Sequence, residues 1–165
     1  QAGDFKLNSV SFSIPTGSYG ILMGKTGSGK TTLLEVICGL LKPTSGRIEL
    51  MGTDLTHAKP ALRNIGYIPQ DGDLFTHMTV ADQLGFSLRV RQWHKDAIAE
   101  RVAELAELLG INHIVHRKPR GLSGGEVQRV ALGRALAFRP SVIPTSPPAS
   151  RACSSGPALP VPDCL

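Results

Sequence analysis

No apolar run in this sequence approaches the roughly 18–20 residues that a bilayer-spanning helix needs, so a membrane-spanning helix is excluded. Nothing near the start reads as a secretory signal. The chain opens on Gln1 rather than Met, and the expectation is that its true N-terminus lies upstream. Cysteine is scarce. Cys38, Cys153 and Cys164 are odd in number and widely spaced, which suggests neither a disulfide framework nor a zinc site. Cys38 lies in an apolar helical stretch and reads as a core residue, in a reducing compartment. Aromatics make up only 5% of the chain, and no basic run carries them interleaved. The net charge of +5 therefore reads as a solvated surface with a Lys/Arg surplus, and no nucleic-acid partner is expected. Acidic residues are missing altogether between Glu126 and Asp163.

What is present fits one domain with a real core, in a chain of 165 residues that is 41% hydrophobic. Val10, Phe12 and Ile14 alternate with serines, as in a half-buried strand. Residues 19–23 form a short apolar run suited to a buried strand, and residues 47–51 and 65–69 read as further strands. Leu33, Leu34, Ile37, Leu40 and Leu41 recur at helical spacing over residues 30–40. Thr79 can cap a helix over residues 80–91. Residues 96–109 form an amphipathic helix with Ile98, Val102, Leu105 and Leu109 on one face, stopped by Gly110. Another helix is predicted over residues 124–138.

Strands alternating with helices predict an α/β domain with a mainly parallel sheet flanked by helices. The domain is expected over residues 3–143, with a helical subdomain over about 78–138 inside it. Residues 144–165 are rich in Pro, Ser and Ala; their prolines exclude a regular helix and a central strand, and disorder is expected there.

Gly24-Lys25-Thr26-Gly27-Ser28-Gly29-Lys30-Thr31 fits G-x-x-x-x-G-K-[ST] between an expected strand and an expected helix. Glycines let the chain wrap until successive N–H groups converge on an anion. The helix adds its positive end. Lys30 is placed to reach the β- and γ-phosphates, the Thr31 hydroxyl to ligate Mg²⁺, and Thr32 extends the polar edge. The bland alternative is a glycine-rich turn with a chance lysine. The loop alone leaves the reaction open, because kinases, GTPases and transport ATPases all use it.

Leu122-Ser123-Gly124-Gly125-Glu126 opens the last helix. Ser123 and Glu126 have the spacing of a capping box, which by itself explains the helix start. It does not explain two consecutive glycines in the first turn, which cost helix stability. Bare N–H groups there suit a second phosphate contact.

With both segments in view, residues 122–140 resemble the signature segment of ABC ATPases, and residues 24–40 their phosphate-loop segment. Tyr67-Ile68-Pro69-Gln70-Asp71 lies between them and is similar to the family's Q-loop. The resemblance implies a P-loop NTPase fold, with ATP and Mg²⁺ as ligands. It also implies a head-to-tail pair of cassettes, in which Ser123, Gly124 and Gly125 contact the γ-phosphate held by the partner cassette. It gives Gln70 contact with Mg²⁺ and the attacking water, where a plain reading of Gln70 is an exposed turn residue. The chain is then the ATP-binding subunit of an importer, peripheral on the cytoplasmic face of the membrane and docked on transmembrane permease subunits. Its solute would be small, such as an inorganic anion or a polyamine. Phe5 is the nearest aromatic for adenine, and equally a strand core residue.

The resemblance stops after residue 143. The family continues an apolar strand to an aspartate of the Mg²⁺ shell and a glutamate that serves as general base; this chain reads Pro144-Thr145-Ser146-Pro147-Pro148. The switch histidine is also missing, and His113 and His116 precede the signature, so neither can replace it. Loss of the base removes a factor of about 10²–10⁴ in rate. The rival readings are a nucleotide-binding fragment without turnover, a soluble ABC protein of repair or translation, and a P-loop kinase, which would not need residues 122–126. We expect a truncation or frame shift near codon 144 and a missing C-terminal part of the cassette. Sequencing the DNA beyond codon 143 should reveal the continuing strand in another frame.

Overall fold

The computed structural model describes residues 7–8, 10–69 and 74–145. Its core is helical. Helix α1 spans Lys30–Cys38, α2 Val80–Val90, α3 Lys95–Leu108 and α4 Gly124–Leu136. Short 3₁₀ turns occupy Pro60–Leu62 and Asn112–Ile114. Thr79 caps α2 as expected: its Oγ1 accepts from the Asp82 N–H at 3.1 Å and donates to Asp82 Oδ2 at 2.7 Å. The Thr79 hydroxyl first, and its backbone N–H with it, hold the Asp82 carboxyl below its usual range. Gly110 follows α3 in the left-handed region, at φ 63°. α1 ends two residues earlier than expected, because Gly39 turns left-handed at φ 81° and donates to Glu35 and Val36 carbonyls.

Val80, Leu84 and Leu88 of α2, Leu105 of α3 and Val130 of α4 are fully buried together, with Ile111 and Ile114 from the turn after α3. Ile98, Val102 and Leu109 line the same core, so the stripe read from the sequence is the buried one. The first turn of α2 is satisfied from outside the helix: Val80 N and Ala81 N donate to Arg117 O and Val115 O, each at 2.8 Å. Gln83 is also buried; its Oε1 accepts from Phe75 N at 3.1 Å, while its Nε2 finds no partner.

The sheet departs from expectation. Among the described residues the only sheet is an antiparallel hairpin, β1 Glu49–Leu50 against β2 Thr53–Asp54. Residues 10–14 and 19–23 form no strand; Tyr19 is 100% and Ile21 81% exposed. The reason is that apolar alternation supplies a face but not a partner. A strand needs a neighbour for its N–H and C=O groups, and the one backbone bond here among the described residues is a turn, Ser18 N to Pro15 O at 3.1 Å. The parallel pairing that does occur is two isolated bridges, Ile65 with Val142 and Ile68 with Thr145. It runs past Ile143 because proline lacks only the donor: Ile68 N donates to Pro144 O at 3.1 Å. The tail expected to be disordered lies, from residue 146 on, outside the described residues. Cys38 is buried, as read from its apolar helix, and burial pushes its thiol up to about 11.

Leu84→Ala empties the centre of the α2–α3–α4 contact and should cost about 2–5 kcal/mol, read as a lower denaturant midpoint at unchanged helix content.

Candidate functional site

Two left-handed glycines close the loop over residues 24–31: Gly27 at φ 81° and Gly29 at φ 88°. A side chain at either would be strained, so glycine is required by the turn itself. Ser28 N donates to Lys25 O at 3.1 Å. Gly29 is the N-cap of α1, and no side chain caps that end. The N–H groups of Lys30, Thr31 and Thr32 therefore have no acceptor within the helix.

Lys30 folds back over the loop. Its Nζ donates to Gly24 O at 2.7 Å and Lys25 O at 2.8 Å, with Ser28 Oγ at 3.5 Å. A cation, free helix N–H groups and glycine-rich backbone thus converge on one spot, an arrangement that attracts a phosphate. The loop borders a cleft of about 240 Å³ whose other wall is Leu7, Val10, Leu22, Met23 and Leu33.

The second segment folds as a complete capping box. Ser123 Oγ accepts from Glu126 N at 3.4 Å, and Glu126 Oε2 accepts from Ser123 N and Ser123 Oγ, each at 2.7 Å. The Ser123 hydroxyl first, and its backbone N–H next, hold the Glu126 carboxyl down at about 2; His113 contributes less. Leu122 packs against the helical core, which anchors the segment. Gly124 and Gly125 take helical angles, and a Cβ built on either meets nothing within 4 Å. Among the described residues, neither turn geometry nor packing asks for glycine at these two positions.

No hydrogen bond joins residues 24–32 to residues 122–126 among the described residues. Gln70 and Phe5 lie outside the described residues.

A family pattern described as ABC transporter matches residues 7–144. The chain belongs to the ABC transporter family. It is 50% identical over 140 residues to the molybdate/tungstate import ATP-binding protein WtpC of Pyrococcus horikoshii, covering 85% of this chain and 41% of that relative. WtpC of Archaeoglobus fulgidus is 45% identical over 151 residues, covering 91% and 61%. The sulfate/thiosulfate import ATP-binding protein CysA of Mycobacterium tuberculosis is 44% identical over 142 residues, covering 86% and 40%. The chain spans about two fifths of the length of the first of these relatives. The family carries the P-loop NTPase fold.

Two residues around these segments were not legible from the sequence. His113, set aside as a switch histidine, places Nε2 3.3 Å from Glu126 Oε1 and so touches the capping box of α4 from the turn after α3. Arg63, in no motif, reaches the far end of α1. Neither has a spacing signal, because each contact is made by the fold.

The Glu126 carboxylate has a depressed pKa in the folded chain. Its contribution to stability is complete above its ordinary 4.5 and is lost as pH falls toward about 2. Glu126→Gln keeps a capping side chain without the charge. Denaturant midpoints measured from pH 5 to pH 2 should fall less steeply in Glu126→Gln than in the parent chain.

Proposed function

We propose that this chain is the nucleotide-binding part of the ATP-binding subunit of an ABC importer, with ATP held on the loop over residues 24–31. One observation carries the reading: two helix N-termini are prepared for phosphate in different ways. α1 offers unfilled N–H groups and Lys30. α4 offers Gly124 and Gly125, whose missing side chains leave open space. Glycine at two helical positions costs about 1 kcal/mol each relative to alanine. That cost is explained if something outside the chain, a phosphate on a second cassette, must approach the helix closely.

The two segments are not bonded to each other, as a head-to-tail pair requires: Leu122, Ser123, Gly124, Gly125 and Glu126 of one chain meet the nucleotide on Gly24, Lys25, Thr26, Gly27, Ser28, Gly29, Lys30 and Thr31 of the other. Mg²⁺ suits the same place, since Thr31 offers a hydroxyl oxygen and the nucleotide supplies phosphate oxygens; bound there, it neutralises phosphate charge. Gln70 is assigned to water and Mg²⁺ positioning. The parallel bridges from Ile65 and Ile68 support a mainly parallel sheet in the complete cassette. The domain reading of residues 3–143, with a helical part over about 78–138, rests on the shared core of α2, α3 and α4.

The relatives' names extend the reading. Molybdate, tungstate, sulfate and thiosulfate are oxyanions, and a small oxyanion is the solute class we assign. An open groove of about 570 Å³ between α2 and α3, lined by Ala81, Ile98, Val102 and Val115 with Asp82 and His116 beside them, suits a permease segment. No helix among the described residues is long and apolar enough to cross a membrane, so membrane attachment in this reading comes from those permease subunits, on the cytoplasmic face.

A second reading, nucleotide binding without turnover, is favoured by one feature. No acidic residue stands between Glu126 and Asp163 to serve as Mg²⁺ ligand or general base. Asp163 lies outside the described residues.

Both readings predict that the chain binds a fluorescent ATP analogue in Mg²⁺, and that Lys30→Ala weakens binding at least about tenfold, a loss of ~1.4 kcal/mol. Phosphate release separates them; turnover at least about 10²-fold below that of a full-length relative supports the second. Gly125→Ala should raise the stability of the chain by up to about 1 kcal/mol and abolish ATP-dependent pairing in sedimentation. An analogue that does not bind the parent chain overturns both.

A further inference from the structure

Arg63 is the most deeply buried basic side chain among the described residues, at 3% exposure. It makes no ion pair with a carboxylate there. A buried charge without a carboxylate must be satisfied by dipoles, and here every partner is a backbone carbonyl. Nη1 donates to Val36 O at 2.9 Å and Ile37 O at 2.7 Å, at the C-terminal end of α1. Nε donates to Ala58 O at 3.0 Å, and Nη2 to Thr56 O at 3.1 Å. The carbonyls at a helix C-terminus lack intrahelical donors and carry the negative end of the helix dipole, so a guanidinium suits them in both respects. Five donors on a rigid planar fork let one side chain reach both α1 and the loop over residues 56–58; an ammonium cannot span that set. Gly39 permits the approach, because a Cβ there would stand 2.5 Å from Arg63 Nε.

The backbone on either side of Arg63 is fixed too. Asp54 Oδ1 accepts from Thr56 N and Thr56 Oγ1, and Thr56 Oγ1 accepts from Ile48 N. Directly after Arg63, Ser141 N donates to Asn64 O and Gly66 N to Val142 O, each at 2.9 Å. The guanidinium therefore joins the far end of α1 to the segment that leads into Gln70. α1 is only nine residues long, and its other end is the phosphate loop. A short helix moves as a rigid rod. Releasing its C-terminus lets its axis tilt and misdirects the N–H groups of Lys30, Thr31 and Thr32.

We propose that Arg63 is a positioning residue for nucleotide binding: it fixes the axis of α1, and with it the phosphate loop, against the loop over residues 56–58 and the backbone at residues 64–66. The inference rests on the nucleotide-binding reading of the loop.

Arg101 supplies the control. Its Nε and Nη2 donate to Ala137 O and Leu136 O, at 3.0 and 2.9 Å, and cap α4 in the same manner, far from α1 in the chain. The test measures the Kd of N-methylanthraniloyl-ATP, with Mg²⁺, on the full chain and on Arg63→Met, Arg63→Lys and Arg101→Met. Temperatures are chosen so that circular dichroism shows equal folded fractions. Arg63→Met should raise Kd about tenfold, Arg63→Lys less, and Arg101→Met not at all despite a similar loss of stability. Should Arg63→Met fail to fold, the comparison of Arg63→Lys with Arg101→Met decides. Equal Kd values for the parent and the Arg63 variants, or an equal rise in Arg101→Met, overturn the proposal and make Arg63 a stability residue only. Failure of the parent chain to bind the analogue overturns the nucleotide reading of the loop instead.

Discussion

A helix leaves its first backbone N–H groups without partners, and the candidate site is organised around how two helices meet that constraint. α4 meets it in part. Ser123 Oγ accepts from the Glu126 N–H and Glu126 Oε2 takes the Ser123 N–H, which leaves Gly124 and Gly125 as the open donors, and the carboxylate is held ionised well below its usual range. α1 has no side-chain cap at all. Its N-cap is Gly29, which has no side chain to offer. An uncapped helix end is a cost to the free chain and an opportunity for an anion, since a phosphate can fill several donors at once. Lys30 places its cation over the same loop by bonding to the carbonyls of Gly24 and Lys25.

The energetics divide along the same line. α2, α3 and α4 are held by apolar burial, with Leu84, Leu88, Leu105 and Val130 removed from water. The region around α1 is held mostly by backbone-directed hydrogen bonds from Arg63 and Thr56, and Val10, Phe12, Ile21 and Met23 beside it stay exposed. Neutral hydrogen bonds such as those of Thr56 contribute about 1 kcal/mol each and the charge-assisted ones of Arg63 about 1.5–3 kcal/mol, against about 1.5–3 kcal/mol for each buried Leu. The two regions are held by interactions of different kinds, so they need not open together. A global unfolding midpoint is then no direct measure of the loop over residues 24–31, which is why stability and ligand affinity must be read separately.

What the sequence made legible follows from the range of the interactions. Helices are decided within a few residues, so Thr79, Gly110 and the Ser123–Glu126 pair marked α2, α3 and α4 to within two residues at each end. The turn over residues 24–31 was legible because its glycines are demanded locally, at Gly27 and Gly29. Strands depend on partners far away in the chain. Residues 10–14 and 19–23 have the right pattern and no bonded neighbour among the described residues, whereas Ile65 and Ile68 find theirs almost eighty residues on, at Val142 and Thr145. His113 and Arg63 belong to that non-local class. No periodicity places His113 beside Glu126, and none sends Arg63 back to Val36 and Ile37.

Gly124 and Gly125 show how far a physical reading of one chain can reach. Gly39 is explained by the guanidinium packed against it, and Gly29 by its left-handed turn. The signature glycines have neither explanation, since their angles are helical and the space beside them is empty. Glycine at these two positions meets no need of turn or packing among the described residues. The membership of this chain in the ABC transporter family, and the lack of any hydrogen bond between residues 24–32 and 122–126 among the described residues, are what the proposed pairing accounts for. In the proposed head-to-tail reading each end is half of a site, and a second copy facing the other way completes both.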